Sequence, residues 1–320
     1  MTLKLGVFLD LATVHNGDLR LDALDRQLPE WHFHPRTEPG QAAERMAGAH
    51  VVVTNKVRIG AAELDAAPDL KLLMIAATGT DVVDLAAARE RGVMVCNVRD
   101  YCSDAVAQHV LALMLNLVTR QVDYTARARS GEWSDSGLFS LHDRPIRELH
   151  RLSLGIIGYG VLGKAVAAMA RAVGMNVLVG ERRGREPRPD RLAFAPLVRS
   201  ADIISLHCPL NDDTRHMFDR DVFAAMKNDA ILINTARGGI VHEQQLADAL
   251  REGQIGGAGV DVFSTEPPPP DHPLLAPDIP NLIVTPHNAW ASTLARQECI
   301  DQLTAVLRAF ERGTPFNRVS

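Results

Sequence analysis

The stretch that most constrains this chain is Leu154-Gly155-Ile156-Ile157-Gly158-Tyr159-Gly160-Val161-Leu162-Gly163. An apolar run that reads as a buried strand empties straight into Gly-x-Gly-x-x-Gly, and the Ala-rich run Lys164 to Val173 follows with good helix propensity. Strand, glycine turn and helix in that order is the context in which this motif binds a dinucleotide. Gly158 permits the tight turn, Gly160 lets a pyrophosphate approach the backbone, and Gly163 lets the helix pack closely on the strand. Tyr159, Val161 and Leu162 complete the turn, whose helix N-terminus offers free N–H groups and a positive dipole end to phosphates. Asn176 to Glu181 reads as a second strand ending in a carboxylate, placed to accept the ribose hydroxyls of NAD. Arg182 and Arg183 follow at once. A carboxylate at that place repels a 2′-phosphate while arginines attract one, so NAD is the expected cofactor because Glu181 holds the ribose position, and NADP is a second possibility.

The chain's 320 residues favour two domains over one. With 46% hydrophobic and 23% charged residues it has the balance of a soluble globular protein. A net charge of −5 supplies no basic field for nucleic acid or an anionic membrane. No apolar run approaches the length of a membrane span, and the first residues lack a signal peptide's layout. Cys96, Cys102, Cys208 and Cys299 are scattered, without metal-ligand spacing, so no metal is expected and a reduced, cytoplasmic chain is the simple reading.

Residues 1 to about 100 alternate short β-branched runs with helical stretches, the pattern of a parallel sheet covered on both faces. Strands are expected at Leu3 to Asp10, Trp31 to His34, His50 to Asn55, Leu70 to Ala77 and Val93 to Val98. Asp84 to Arg91 reads as a helix stopped by Gly92. Ser103 to Thr119 reads as a long helix capped by Ser103-Asp104 and linking the domains, its apolar face suited to an intersubunit contact in a homodimer but explained more simply by burial within one chain. Ser130 to Gly137 reads as a loop. Further strands follow the fingerprint at Asp202 to His207, Ala230 to Asn234, Ala258 to Phe263 and Leu282 to Thr285, making about six, the count of a doubled mononucleotide fold. Residues 291–311 form one more amphipathic helix than that sheet needs, and the economical placement returns it to the first domain. The expected fold is therefore α/β, with two Rossmann-like doubly wound parallel sheets. A substrate domain of residues 1–100 plus 289–320 would be interrupted by a cofactor domain of residues 101–288, with a cleft between them.

Three strand ends in the later half finish in polar groups. Arg237 stands on the glycine turn Asn234-Thr235-Ala236-Arg237-Gly238-Gly239, Glu266 lies just past Val262-Phe263, and His287 follows the last strand in Thr285-Pro286-His287-Asn288-Ala289-Trp290. Hydride transfer to a carbonyl needs a proton donor, which histidine supplies near neutral pH. A neighbouring carboxylate favours the imidazolium. A guanidinium fork matches a substrate carboxylate. In the first domain, Asn55 and the Thr78-Gly79 turn follow strand ends, where open α/β sheets place ligands. They read equally well as plain connections with helix-capping Thr80 or Asp81.

With these residues in view, nearly the whole chain resembles the D-isomer-specific 2-hydroxyacid dehydrogenases. The carriers are Gly158-x-Gly160-x-x-Gly163, Asn234 to Gly239, Asp261-Val262-Phe263-Ser264-Thr265-Glu266-Pro267 and Thr285-Pro286-His287-x-Ala289-Trp290. The resemblance implies His287 as acid/base, Glu266 as its partner and Arg237 as the substrate-binding arginine. It implies Cys208, Pro209, Thr214, Thr235 and Ala236 along the cofactor and Asp261 near the nicotinamide carboxamide. Thr78, Gly79, Asn55 and Trp290 would face the substrate. Ala76 to Asp81, Cys96 to Val98 and Trp290 look most like the glycerate dehydrogenase (hydroxypyruvate reductase) branch. The expected activity is hydride transfer between NAD(H) and a short D-2-hydroxy or 2-oxo acid, such as D-glycerate/hydroxypyruvate or glycolate/glyoxylate. The alternative is an NAD(H)-sensing, corepressor-like interaction protein with little turnover.

Overall fold

The computed structural model describes residues 3–320. Its contacts divide the chain into two compact units, Met1–Cys102 with Ala291–Ser320, and Ser103–Trp290. The breaks therefore follow Cys102 and Trp290, which assigns Ala289 and Trp290 to the second unit.

The first unit is built on five parallel strands, β1 (Leu5–Phe8), β2 (Glu30–Phe33), β3 (Val51–Thr54), β4 (Leu72–Ile75) and β5 (Met94–Asn97). Their order is β2-β1-β3-β4-β5. β3 and β4 are buried along their whole length, which is why each reads as an unbroken apolar run, whereas edge strand β2 alternates. The chain reverses direction between β1 and β3, so their carboxyl ends flank the sheet's switch point. The helix Thr293–Glu311 lies in this unit. It is capped by the Ser292 hydroxyl, which accepts from the Ala295 N–H at 3.2 Å, and it buries Cys299, Ile300, Leu303 and Leu307. The final residues then run along β5: the Val319 N–H donates to the Val95 carbonyl at 2.8 Å and the Asn97 N–H to that of Asn317 at 3.1 Å. That pairing covers a sheet edge that would otherwise be open.

The second unit holds six parallel strands, β6 (Ser153–Ile157), β7 (Asn176–Gly180), β8 (Ile203–Leu206), β9 (Ile231–Asn234), β10 (Gly257–Val260) and β11 (Leu282–Val284). Their order is β7-β6-β8-β9-β10-β11. Six strands are present, but only β7 lies beyond β6; the place of a further strand is taken by a single parallel bridge from Gly180 to Leu192. The switch point falls between β6 and β8, so the glycine turn after β6 and the His207-Cys208-Pro209 segment after β8 emerge side by side.

The long helix Ser103–Thr119 belongs to this second unit. Its apolar face, through Val106, Val110, Leu113, Met114 and Leu117, is buried there against the helix Val161–Ala172 and strands β9, β10 and β11. Gly259 of β10 lets it approach, since a Cβ there would meet Leu113 and Ile233 at 3.0–3.1 Å. Two local expectations are corrected. The Ser103 hydroxyl is buried and makes no capping bond among the described residues. The stretch 130–137 is not all loop, because Gly131 (φ +89°) and Gly137 (φ +64°) bracket a turn of helix, Glu132–Ser136, rather than dissolving it.

Candidate functional site

At the phosphate end, the geometry demands the glycines. Gly158 has φ +94°, and a Cβ on it would collide with the backbone of His207 and Cys208, while one on Gly163 would collide with the Gly158 carbonyl oxygen. Helix, turn and β8 are thereby drawn together as only hydrogen side chains allow. Gly160 is different, because nothing lies within 4 Å of where its Cβ would be. It is the N-cap of the 12-residue helix Val161–Ala172 and makes no side-chain capping bond, so open space and the free N–H groups of Tyr159, Val161 and Leu162 coincide. A pyrophosphate fits this cradle.

Glu181 follows β7 and is only 3% exposed. Its Oε1 accepts from Arg188 Nε at 2.6 Å and lies 3.0 Å from an Arg191 nitrogen. The Arg188 hydrogen bond first, and the charges of both arginines, hold its carboxyl below the usual range, so it stays ionised. Arg182 beside it is half-buried. On the β8 side, Cys208 is 4% exposed and burial pushes its thiol up to about 11, as it does those of Cys96 and Cys102. None of these three is a thiolate nucleophile at neutral pH. Thr214 is fully buried: its hydroxyl donates to the Pro209 carbonyl at 2.7 Å and accepts from the Asn211 N–H at 2.8 Å. In this structure it shapes the Cys208-Pro209 loop. The sequence offered no sign of His207, whose Nε2 lies 2.8 Å from the Ser205 hydroxyl, while burial pushes its imidazole down to about 4 and keeps it neutral.

The reactive groups gather past β9, β10 and β11. Asn234, at the end of β9, folds the Thr235–Arg237 turn: its Oδ1 accepts from the Ala236 N–H at 3.1 Å and its Nδ2 donates to the Arg237 carbonyl at 3.0 Å. The Thr235 hydroxyl is buried with no partner among the described residues, an open donor at the sheet's carboxyl edge. A Cβ on Gly238 would collide with the Phe263 carbonyl carbon and the Ser264 nitrogen, so the Arg237 turn lies directly against the segment leading to Glu266. Glu266 closes that segment, its Oε1 accepting from the Phe263 N–H at 2.9 Å. Its Oε2 lies 2.6 Å from His287 Nδ1. Both side chains remain about one-third exposed, at 32% and 28%. With Nδ1 held by a carboxylate, Nε2 is the atom left to exchange a proton.

His287 itself sits at φ +51°, a left-handed conformation that a non-glycine residue adopts only when its surroundings hold it there. Asp261 does the holding. It is 1% exposed, its Oδ1 accepts from the Thr285 hydroxyl at 2.6 Å and the Asn288 N–H at 3.0 Å, and its Oδ2 from the Ala289 N–H at 3.0 Å. Its carboxylate is thus occupied within the protein, gripping the turn on both sides of His287. Trp290 ends this segment, half-buried.

The first unit repeats the device at its own switch point, on a residue that the strand pattern did not single out. Asp10, just past β1 and 3% exposed, accepts from the N–H groups of Asn55, Lys56 and Val57 at 2.9, 2.6 and 3.2 Å. Burial outweighs these donors and pushes its carboxyl above the usual range. Asn55 is 3% exposed, with its amide donating to the Thr13 hydroxyl at 3.0 Å. Thr78 and Gly79 lie in the turn after β4, where the Thr78 carbonyl accepts from Asn97 Nδ2 at 2.7 Å. The cap of the next helix is neither Thr80 nor Asp81 but Asp84, which accepts from the Ala87 N–H at 2.9 Å. Among the described residues, no group of three or more His, Cys, Asp or Glu side chains could hold a metal, and no helix is long and apolar enough to cross a membrane.

Gly238→Ala tests the close approach directly. The added methyl has only backbone to displace, so the variant should lose about 1–3 kcal/mol in urea denaturation. An unchanged midpoint would show that the two loops are free to separate.

Residues 111–289 match the family of D-isomer specific 2-hydroxyacid dehydrogenases through its NAD binding domain. Along its whole length the chain is 44% identical to a glycerate dehydrogenase of Methylorubrum extorquens, covering 99% of that protein. It is 33% identical to a hydroxypyruvate reductase of Blautia hydrogenotrophica, over 98% of this chain and 99% of the other. Among solved structures, the TT0316 protein of Thermus thermophilus superposes with a TM-score of 0.86 at 35% identity, over 99% of this chain and all of the other. The chain belongs to the D-isomer-specific 2-hydroxyacid dehydrogenase family and is an NAD-dependent oxidoreductase.

Proposed function

We propose that the protein interconverts a short 2-oxo acid and its D-2-hydroxy acid, with hydroxypyruvate/D-glycerate first and glyoxylate/glycolate second among candidates. The observation that carries this is the 2.6 Å contact between His287 Nδ1 and Glu266 Oε2 on the edge of a sheet whose first turn is the glycine cradle. Similarity to a glycerate dehydrogenase and a hydroxypyruvate reductase over nearly the whole chain supports the substrate choice.

When bound, the nicotinamide cofactor supplies or accepts the hydride. Gly158, Gly160 and Gly163, with the N–H groups of Tyr159, Val161 and Leu162, take its pyrophosphate, and Glu181 Oε2 takes its ribose. Thr235 Oγ1 and Ala236 line the nicotinamide end with Cys208 and Pro209. The Arg237 guanidinium binds the substrate carboxylate and polarises the adjacent ketone. In reduction, His287 Nε2 delivers its proton to the carbonyl oxygen while Glu266 keeps Nδ1–H in place. In oxidation the same nitrogen removes the hydroxyl proton. Trp290, Asn55 and the Thr78-Gly79 backbone are the further groups we assign to substrate. Four cysteines, all free, suit a reducing compartment, and we place the protein in the cytoplasm.

We also propose a homodimer, whose contact surface lies elsewhere than on the Ser103–Thr119 helix. The Ser103–Thr119 helix spends its apolar face inside the second unit. Exposed apolar residues instead concentrate just beyond it: Phe139 is 97% exposed, Leu138 60%, Val122 57%, Ile146 55% and Trp133 48%. Two of them, Trp133 and Ile146, line a groove of about 620 Å³ together with Tyr124, Ala128 and Leu141. Such a patch on one chain fits a self-complementary contact between two copies.

NADH absorbance should fall when the protein is mixed with hydroxypyruvate or glyoxylate. His287→Ala should reduce kcat by roughly 10²–10⁴-fold while NADH still binds, as expected for loss of a general acid. Tight NADH binding with no turnover of any short 2-oxo acid would instead favour a sensing role. Light scattering after size-exclusion chromatography should give twice the chain mass of 34.9 kDa. Phe139→Asp with Trp133→Ala should shift it to the monomer, and a wild-type monomer would contradict the assembly.

A further inference from the structure

The segment that carries Glu266 has little means of holding its own shape. Pro267 to Pro270 offer no backbone N–H. Among the described residues, the single backbone-to-backbone hydrogen bond inside residues 263–272 runs from the His272 N–H to the Pro269 carbonyl, at 3.0 Å. Side chains from outside take over. Glu243, the first residue of the helix Glu243–Arg251, has a side chain only 14% exposed. Its Oε1 accepts from the Ser264 N–H at 2.7 Å, and its Oε2 lies 3.2 Å from Nε2 of the buried His272. The other ring nitrogen fixes where the proton sits. His272 Nδ1 accepts from the Leu274 N–H at 3.2 Å, so Nε2 carries the ring hydrogen and donates it to Glu243. The same ring meets Phe263 edge-on, with centroids 4.9 Å apart at 87°. One carboxylate thus ties the first residues of the segment to its last. Glu266, whose Oε1 accepts from the Phe263 N–H at 2.9 Å, stands between the two tied points.

Resting on the roles proposed above for Glu266 and His287, we infer that Glu243 and His272 are positioning residues for the proton-transfer pair. They hold the segment so that Glu266 Oε2 stays 2.6 Å from His287 Nδ1. Their route is the backbone of Phe263 and Ser264, the same two residues that Gly238 abuts. A shift of Ser264 carries Phe263 with it, and the Phe263 N–H is what orients the Glu266 carboxylate. Burial strengthens the tie, because little water competes for its hydrogen bonds. The positive end of the helix favours the ionised carboxylate at its first position.

Glu243→Gln keeps the shape but replaces one of two acceptor oxygens by a donor, so Ser264 or His272 loses its partner. In single-turnover oxidation of bound NADH by hydroxypyruvate, it should slow hydride transfer about 10-fold. The KM for hydroxypyruvate and the affinity for NADH should change less than about 3-fold. His272→Phe keeps the ring against Phe263 without its nitrogens and should give the same split, which serves if one variant folds poorly in a thermal melt. In a Glu266→Gln background, Glu243→Gln should cost less than about 3-fold, since the route through which it acts is already removed. An equal loss in both backgrounds, or a wild-type rate in both Glu243→Gln and His272→Phe, overturns the inference while the roles of Glu266 and His287 stand. If Glu266→Gln alone leaves the rate unchanged, the proposed pair falls and the inference with it.

Discussion

The grip of Asp261 on the turn around His287 is the interaction on which the rest of the site depends. A histidine at φ +51° is held against its backbone preference, and three donors from Thr285, Asn288 and Ala289 converge on one buried carboxylate to keep it there. The imidazole's Nδ1 can then meet Glu266, whose own position follows from the Phe263 N–H and from the backbone contact that Gly238 permits. Each step uses a strand end as its fixed point. A parallel sheet buried on both faces supplies such points cheaply, because the strands are rigid and the loops alone vary.

Asp10 shows the same solution in the first unit. There too a buried carboxylate beyond a strand accepts consecutive backbone N–H groups and fixes a polar turn at the switch point, with Asn55 on it. In both sheets the functional loop is shaped by an anion that is itself hidden. These aspartates organise backbone; Glu266 and His287 stay partly exposed, and the histidine, held at Nδ1, keeps Nε2 for proton exchange.

The strands, their parallel sense and the return of the Thr293–Glu311 helix were legible in the sequence, because buried strands read as continuous apolar runs and the glycine motif has one structural context. Arg237, Glu266 and His287 could be read as neighbours because they follow strands that lie consecutively at one edge. What the pattern could not supply was pairing between loops. Nothing in the spacing of Glu181, Arg188 and Arg191 announces that they meet, nor that Thr214 and Asp261 spend their polar atoms internally. The helix Glu132–Ser136 was hidden by its bracketing glycines, which serve as left-handed caps and not as breakers. The apolar face of Ser103–Thr119 was legible as one buried within the chain, but the pattern did not say that the helix Val161–Ala172 would cover it.

Asp261→Asn keeps the size of the side chain and removes the charge that draws its three donors together. Stopped-flow single-turnover oxidation of bound NADH by hydroxypyruvate isolates its effect on the chemical step from binding and product release. The hydride-transfer rate should fall by about 10–100-fold in a protein that folds normally, since a small misplacement of an acid is costly on that scale. A wild-type rate in that variant would contradict the claim that this buried carboxylate positions the histidine.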